Sequence, residues 1–364
     1  YIISGEASGD LHASNLINQI KLNDPEAEFR GWGGDLMAKE GCEIVKHYRD
    51  LAFMGFAEVL MNIRTIIRNI GICKQDIVSF SPDVVIFVDY PGFNLRIAEF
   101  AHERGFKTVY YISPQVWAWK ESRVEKIKKV VDRMLVILPF EKEFYRRHGY
   151  ESWFVGHPLL DAIEKPQAVE ELDLTSDSRP VIALLPGSRK QEIITMLPIM
   201  LSVVHRFPSH RFVVAAAPSQ EIGFYHSIPG IEQVEVLKGN TYGLLRVSTA
   251  ALVTSGTATL ETALFNVPEV VCYKANRISY HIARALVKIK FISLVNLIMD
   301  REVVKELIQD ELNESNLAKQ LEKILNGEER ERMLSDFTDL RSRLGGAGAS
   351  AHAAKLIADF VCGN

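Results

Sequence analysis

Short runs of consecutive apolar, β-branched residues alternate along this chain with longer stretches in which apolar positions recur every three or four residues. Asp83 to Val88, Thr108 to Ile112 and Arg133 to Leu138 are such runs in the first half, and Val181 to Leu185, Arg211 to Ala216 and Ala250 to Thr254 are their counterparts in the second. A strand that is apolar throughout, instead of alternating, is buried on both faces, and the helical stretches between the runs supply the covers. The pattern predicts an α/β protein with a doubly wound, Rossmann-like parallel sheet in each half. Pro158, Pro166 and the polar stretch Thr175 to Arg179 break the periodicity and put the change of domain between Gly156 and Pro180. The expected division is 1–165, 166–345 and 346–364. In the last piece Gly346, Ala347 and Gly348 precede an apolar helix from Ala351 to Val361, either as a hinge or crossover or as a flexible loop before a packing helix.

The length of 364 residues suits two domains, each with its own core. Hydrophobic residues make up 47% and charged residues 24%, ordinary values for a globular chain. Apolar runs such as Met134 to Phe140 stop far short of the roughly 18 to 20 residues that span a bilayer, so no transmembrane helix is expected. A net charge of −4 argues against a nucleic-acid partner, because a phosphate backbone demands a dominant basic face. Cys42, Cys73, Cys272 and Cys362 are scattered, without the paired spacing of a zinc or redox motif, and read as reduced thiols. The chain opens at Tyr1 inside a strand, so a few preceding residues, the initiator Met among them, are expected.

Chemistry concentrates where strands give way to helices. GEASGD, Gly5 to Asp10, follows the strand at Ile2 and Ile3, and its glycines let backbone N–H groups approach phosphate or sugar oxygens; Ser8 and Asp10 are alternatively helix caps. VDYPGFN, Val88 to Asn94, ends a buried strand in Asp89, a carboxylate placed to accept a proton or bind hydroxyls unless it is only a turn residue before Pro91. SPQVWAW, Ser113 to Trp119, offers Trp117 and Trp119 for stacking on sugars, for an acyl groove or for packing. In the second half LPGSR, Leu185 to Arg189, ends in an always-charged, bidentate donor suited to a diphosphate. SGTATLE, Ser255 to Glu261, leaves a helix N-terminus uncovered by large side chains, and Glu261 lies one and a half turns on, in reach of ribose hydroxyls.

These strings, with LAFMGFAEVL (Leu51 to Leu60), LPFE (Leu138 to Glu141), VGHP (Val155 to Pro158) and LVNLIMDREVVKELIQDE (Leu294 to Glu311), resemble the lipid A disaccharide synthase family over nearly the whole chain. The resemblance implies an inverting glycosyltransferase of the glycosyltransferase-B fold, with two Rossmann-like domains facing a central cleft and a C-terminal helix that crosses back or is exchanged. It implies transfer of 2,3-diacylglucosamine from UDP to 2,3-diacylglucosamine 1-phosphate, forming a β(1→6) disaccharide. Asp89 then falls on the catalytic base, and Ser188 and Arg189 with Ser255, Gly256 and Thr257 fall on the diphosphate contacts. Glu261 falls on the ribose contact, and Asn296, Arg301 and Glu302 on a donor-site and interdomain segment. Glu6, Ser8, Asp10, Asn94 and Trp117 fall on the acceptor side; Ala7 stands where some relatives carry Thr.

Inversion is one displacement and needs one base. With Arg189 and a helix end to neutralise the leaving diphosphate, and no acidic DxD-type pair in the sequence, neither metal nor other cofactor is expected. The expected partners are the acylated sugars and the anionic lipids at the inner face of the cytoplasmic membrane, where the protein would sit peripherally; a homodimer is left open. Met54, Phe56, Val59 and Leu60 with Arg64 and Arg68 form one candidate membrane patch. The second is Arg277 to Phe291, an amphipathic pattern equally suited to a core-facing helix. Two other activities fit two such domains: a UDP-sugar epimerase, which needs no acceptor, and the glycosyltransferase of the polyprenyl-linked murein precursor.

Overall fold

The computed structural model describes residues 1–51, 63–164, 177–276, 280 and 289–363. The segment Met54, Phe56, Val59 and Leu60, and all of 277–288 except Tyr280, lie outside the described residues. The chain divides into two compact units, Tyr1–Ala162 with Leu344–Asn364, and Ile163–Arg343.

The first unit is built on seven parallel strands: β1 (Ile2–Ser4), β2 (Phe29–Gly33), β3 (Cys42–His47), β4 (Val84–Val88), β5 (Lys107–Tyr111), β6 (Arg133–Val136) and β7 (Trp153–Phe154). Their order is β3-β2-β1-β4-β5-β6-β7. Right-handed crossovers that run one way from β1 to β3 and the other way from β4 to β7 put helices on both faces. The uninterrupted apolar runs are the consequence: Ile2, Ile3, Val85, Phe87, Val88, Val109 and Tyr110 are all fully buried.

The last helix, Ala349–Cys362, packs against the helix Ala7–Asn23 of this unit, so the glycine segment does lead a crossover. Both ends of the helix are held electrostatically. Asp161 accepts from the N–H groups of Gly348 (2.6 Å) and Ser350 (2.8 Å) at the N-terminus, and Lys107 donates to the carbonyls of Phe360 (3.1 Å) and Val361 (2.8 Å) at the C-terminus. A carboxylate at the positive end and an ammonium at the negative end both oppose the helix dipole. The VGHP string marks the point of return: His157 N–H donates to the Leu344 carbonyl (3.3 Å), and Gly156, at φ 91°, lets the backbone lie against Ala349.

The second unit carries six parallel strands: β8 (Val181–Leu185), β9 (Arg211–Ala216), β10 (Glu235–Lys238), β11 (Ser248–Thr254), β12 (Glu269–Tyr273) and β13 (Lys305–Ile308). The order is β10-β9-β8-β11-β12-β13. One polar residue is out of keeping with this core. Glu269, at the start of β12, is fully buried, and neither carboxyl oxygen has a hydrogen-bond partner among the described residues. Burial, and next the carboxylate of Glu306, push its pKa well above the usual range and so favour its protonated form in the fold.

An unfolded chain releases that proton near the ordinary Glu pKa of about 4.3. The native state therefore loses stability as pH rises through and above that value. Glu269→Gln removes this dependence: its melting temperature should exceed the wild-type value by an increment that grows from pH 5 to pH 8. An increment independent of pH in calorimetric scans would show Glu269 to be ionised in the fold.

Candidate active site

In a parallel sheet, the loops that follow the strands emerge at the carboxyl edge, and a crevice opens where neighbouring strands send their connections to opposite faces. In the first unit this reversal lies between β1 and β4, which pair with Ser4 beside Val88. Ser4 leads into GEASGD and Val88 into VDYPGFN, so these two motifs flank one switch point. In the second unit the reversal lies between β8 and β11, where Leu185 pairs with Val253. LPGSR and SGTATLE flank that one.

The chain leaves β4 through Asp89 (φ 46°) and Tyr90 (φ 50°), two successive non-glycine residues in the left-handed region. Each is disfavoured by about 1–3 kcal/mol and persists only where the surroundings over-determine it. Here the Asp89 carbonyl accepts from Asn94 Nδ2 at 2.7 Å and from Tyr110 Oη at 2.6 Å, and the Asn94 amide also reaches the carbonyls of Ile3 (3.3 Å) and Val88 (3.4 Å). Tyr90 stacks on Phe93, and its ring lies so close to Gly5 that a Cβ there would come within 2.3 Å of it. The half-buried Asp89 carboxyl has its pKa pushed up to about 6 by burial, and then by the charge of Glu6, while the Tyr90 N–H works in the opposite direction. It is ionised at neutral pH yet more basic than an ordinary aspartate, as a general base requires.

The remaining residues expected at the acceptor side separate into two groups. Glu6 and Ser8 are exposed at the start of the helix Ala7–Asn23. Asp10, Asn94 and Trp117 instead serve the protein itself. Asp10 is 2% exposed, and its carboxylate accepts from the N–H groups of Gly34 (2.7 Å), Leu36 (3.1 Å) and Met37 (3.2 Å), capping the helix Asp35–Lys39 and not its own. Asn94 is fully buried, with its amide on the β4 turn. Trp117 Nε1 donates at 3.2 Å to Glu141, a buried carboxyl that also accepts from the N–H groups of Ile137 (3.3 Å) and Leu138 (3.0 Å) and is pushed up to about 7, chiefly by burial. Glu141 thereby ties SPQVWAW to LPFE. Trp119, by contrast, is exposed, with Lys120 Nζ 4.1 Å from its ring centroid.

In the second unit the N–H groups of Ser188 and Arg189 point to one side of their loop, where Glu192 Oε2 accepts both at 3.2 and 3.3 Å. Arg189 is 60% exposed, and its only ion pair among the described residues is the long 3.4 Å contact to Glu192, which leaves the guanidinium available to a ligand. Gly256, at φ 155°, adopts a backbone that side chains rarely allow, and a Cβ there would meet nothing within 4 Å. It opens the helix Thr257–Leu264 with no side-chain cap, so the first N–H groups face outward. Ser255 differs: its hydroxyl donates to the Ile292 carbonyl at 2.9 Å. Glu261 is half-buried, accepts from Tyr242 Oη at 3.3 Å, and has its pKa raised by burial.

Asn296, Arg301 and Glu302 have internal partners. Asn296, fully buried, accepts from the N–H groups of Val303 (2.7 Å) and Val304 (3.0 Å) and donates to the Val304 carbonyl and to Glu306 (both 2.9 Å). Arg301 makes a bidentate pair with Asp336, both contacts 2.7 Å, and Glu302 pairs with Lys305 at 3.2 Å. They build the loop before β13. Tyr110, Glu141 and Tyr242 are the site residues that sequence reasoning passed over; a tyrosine inside or beside an apolar run gives no sign that its hydroxyl is committed.

Each unit is thus doubly wound, with two motif-bearing loops at its switch point. Solved structures agree on the fold: a putative UDP-N-acetylglucosamine 2-epimerase from Listeria monocytogenes (13% identity, TM-score 0.67, covering 100% of this chain and 96% of that one) and the glycotransferase of kitacinnamycin (14%, TM-score 0.66, 98% and 97%). The family described as Lipid-A-disaccharide synthetase matches residues 1–360. Lipid-A-disaccharide synthase of Myxococcus xanthus is 37% identical, covering 99% of this chain and 97% of that protein, and its counterpart in Syntrophus aciditrophicus is 38% identical with the same coverage. The chain belongs to the lipid-A-disaccharide synthetase family.

The structural role of Asp10 is separable from any role in binding. Asp10→Ala should lower stability by about 1–2 kcal/mol, the effect of removing a helix cap, whereas Glu6→Gln should leave the melting temperature unchanged. Equal melting temperatures for wild type and Asp10→Ala would contradict the capping role.

Proposed function

We propose that this protein synthesises the lipid A disaccharide by transferring 2,3-diacylglucosamine from its UDP carrier to the 6-hydroxyl of 2,3-diacylglucosamine 1-phosphate, with inversion at the anomeric carbon and release of UDP. The family match supports the overall reaction and disfavours the epimerase and murein-precursor alternatives. The observation that carries the mechanism is Asp89: a carboxylate on a strained turn at the switch point, with a pKa of about 6. Asp89 takes the proton of the acceptor hydroxyl, and the resulting alkoxide-like oxygen attacks the anomeric carbon opposite the departing diphosphate. No second carboxylate is required. On the donor side, Ser188, Arg189 and the uncapped helix end at Gly256 and Thr257 hold and neutralise the diphosphate, and Glu261 accepts from the ribose hydroxyls. We propose that this charge complement works without a metal or other cofactor.

Both sugars are acylated, so the enzyme must work at a bilayer surface, and the inner face of the cytoplasmic membrane is the proposed location. No helix among the described residues is long and apolar enough to cross a membrane. The helix Ile63–Phe80 supports peripheral docking. Its outward side interleaves exposed Ile67, Ile72 and Val78 with exposed Arg64 and Arg68, and its one acid, Asp76, is turned to Arg30 (2.8 Å). Apolar and basic groups on one face suit anionic headgroups.

Asp89→Asn keeps shape but removes the basic oxygen. Disaccharide formation should fall by about 10²-fold or more with UDP affinity and melting temperature retained. Because only ionised Asp89 accepts a proton, wild-type kcat/KM should decline as pH drops below about 6, and this limb should vanish from the residual activity of the Asn variant. Turnover within a few-fold of wild type would make Asp89 a turn residue. For the membrane, sedimentation with anionic vesicles should be salt-sensitive and weakened by Arg64→Glu with Arg68→Glu; equal binding by the double variant would remove this helix from the docking surface.

A further inference from the structure

The left-handed turn at Asp89 and Tyr90 has an anchor outside its own motif. Tyr110 lies on β5, beside β4, in register with Phe87. Its ring is fully buried, and its hydroxyl crosses to the Asp89 carbonyl at 2.6 Å. With Asn94 Nδ2 at 2.7 Å on the same oxygen, both lone pairs of that carbonyl are engaged. Burial, and then the charge of Asp89, raise the phenol pKa well above its ordinary value, so the hydroxyl keeps the proton that it donates to the Asp89 carbonyl. An amide and a phenol from different elements thus converge on one peptide group, the one that joins the two strained residues.

We infer that Tyr110 is a positioning residue for glycosyl transfer: its hydroxyl fixes the left-handed Asp89–Tyr90 turn and thereby aims the Asp89 carboxylate. The inference rests on Asp89 being the base. Without the phenol, one donor remains on the carbonyl, and the peptide between Asp89 and Tyr90 is free to rotate towards unstrained backbone, carrying the carboxylate away from the hydroxyl it must deprotonate. A misdirected base loses rate in the chemical step while the substrates still bind, because the contacts that hold them are made elsewhere.

The competing role for Tyr110 is packing, since its ring sits 5.8 Å from that of Phe87. Tyr110→Phe separates the two, deleting one oxygen and keeping the ring. We expect kcat to fall at least tenfold with KM for both substrates within about twofold. The decisive readout is the cycle with Asp89→Asn: once the basic oxygen is gone there is nothing to aim, so adding Tyr110→Phe to Asp89→Asn should change the residual rate by less than twofold. Phe87→Leu, which disturbs the same packing without touching the hydroxyl, should lower the melting temperature and leave kcat within about twofold. A Tyr110→Phe enzyme within threefold of wild type, or an equal fold-loss in the wild-type and Asp89→Asn backgrounds, overturns the inference and leaves the base assignment standing. Near-normal activity of Asp89→Asn alone overturns both.

Discussion

The constraint on which this molecule rests is the reversal of winding in each parallel sheet. Strands on either side of it send their chains to opposite faces, and only there do two loops leave the carboxyl edge without a helix closing over the gap between them. β1 and β4 stand in that relation in the first unit, and β8 and β11 in the second. Each of the four loops that follow carries one of the chemically distinctive strings. The apolar runs that bury the strands on both faces fix where the polar residues following them must emerge. Asp89 stands at the edge because Val85 to Val88 are buried behind it.

The two switch points differ in the groups they present. At β4 a carboxylate is kept basic by partial burial and by Glu6, on a backbone held in an unfavourable conformation by Asn94 and Tyr110. Such strain persists because the peptide group that carries it is bonded from two directions. At β8 and β11 the donors stand out: two N–H groups seat the carboxylate of Glu192, Arg189 is held only by a long ion pair to the same residue, and the helix end at Gly256 has no side-chain cap. In the proposed reaction these are the donors that would meet the diphosphate oxygens.

Much of this was legible in the amino-acid pattern. Six apolar runs gave six of the central strands to within two residues, because strands buried on both faces leave an unmistakable signature. The strands at one end of each sheet did not: the edge strands β3 (CEIVKH) and β10 (EVLK) are only partly buried and carry charge, and β2 (FRGWG), between β3 and β1, breaks its apolar run with Arg30 and two glycines. Asp89, Arg189 and the small residues of SGTATLE could be placed at the carboxyl edge because each follows closely on an apolar run. Asp10 and Asn296 show the limit. Each lies on a helix, yet the Asp10 carboxylate is bonded by N–H groups of a different element and the Asn296 amide by the loop that follows its own helix, and no local pattern distinguishes that from a side chain awaiting a ligand. Tyr110 is the converse, an apparent core residue whose single polar atom reaches the turn that matters.

The most direct test of the account is the product. Purified protein incubated with UDP-2,3-diacylglucosamine and 2,3-diacylglucosamine 1-phosphate, followed by mass spectrometry, should yield equimolar tetraacyl disaccharide 1-phosphate and UDP only when both substrates are present. Conversion of the UDP-sugar to an isomer without the acceptor, or no disaccharide when both are supplied, would contradict it.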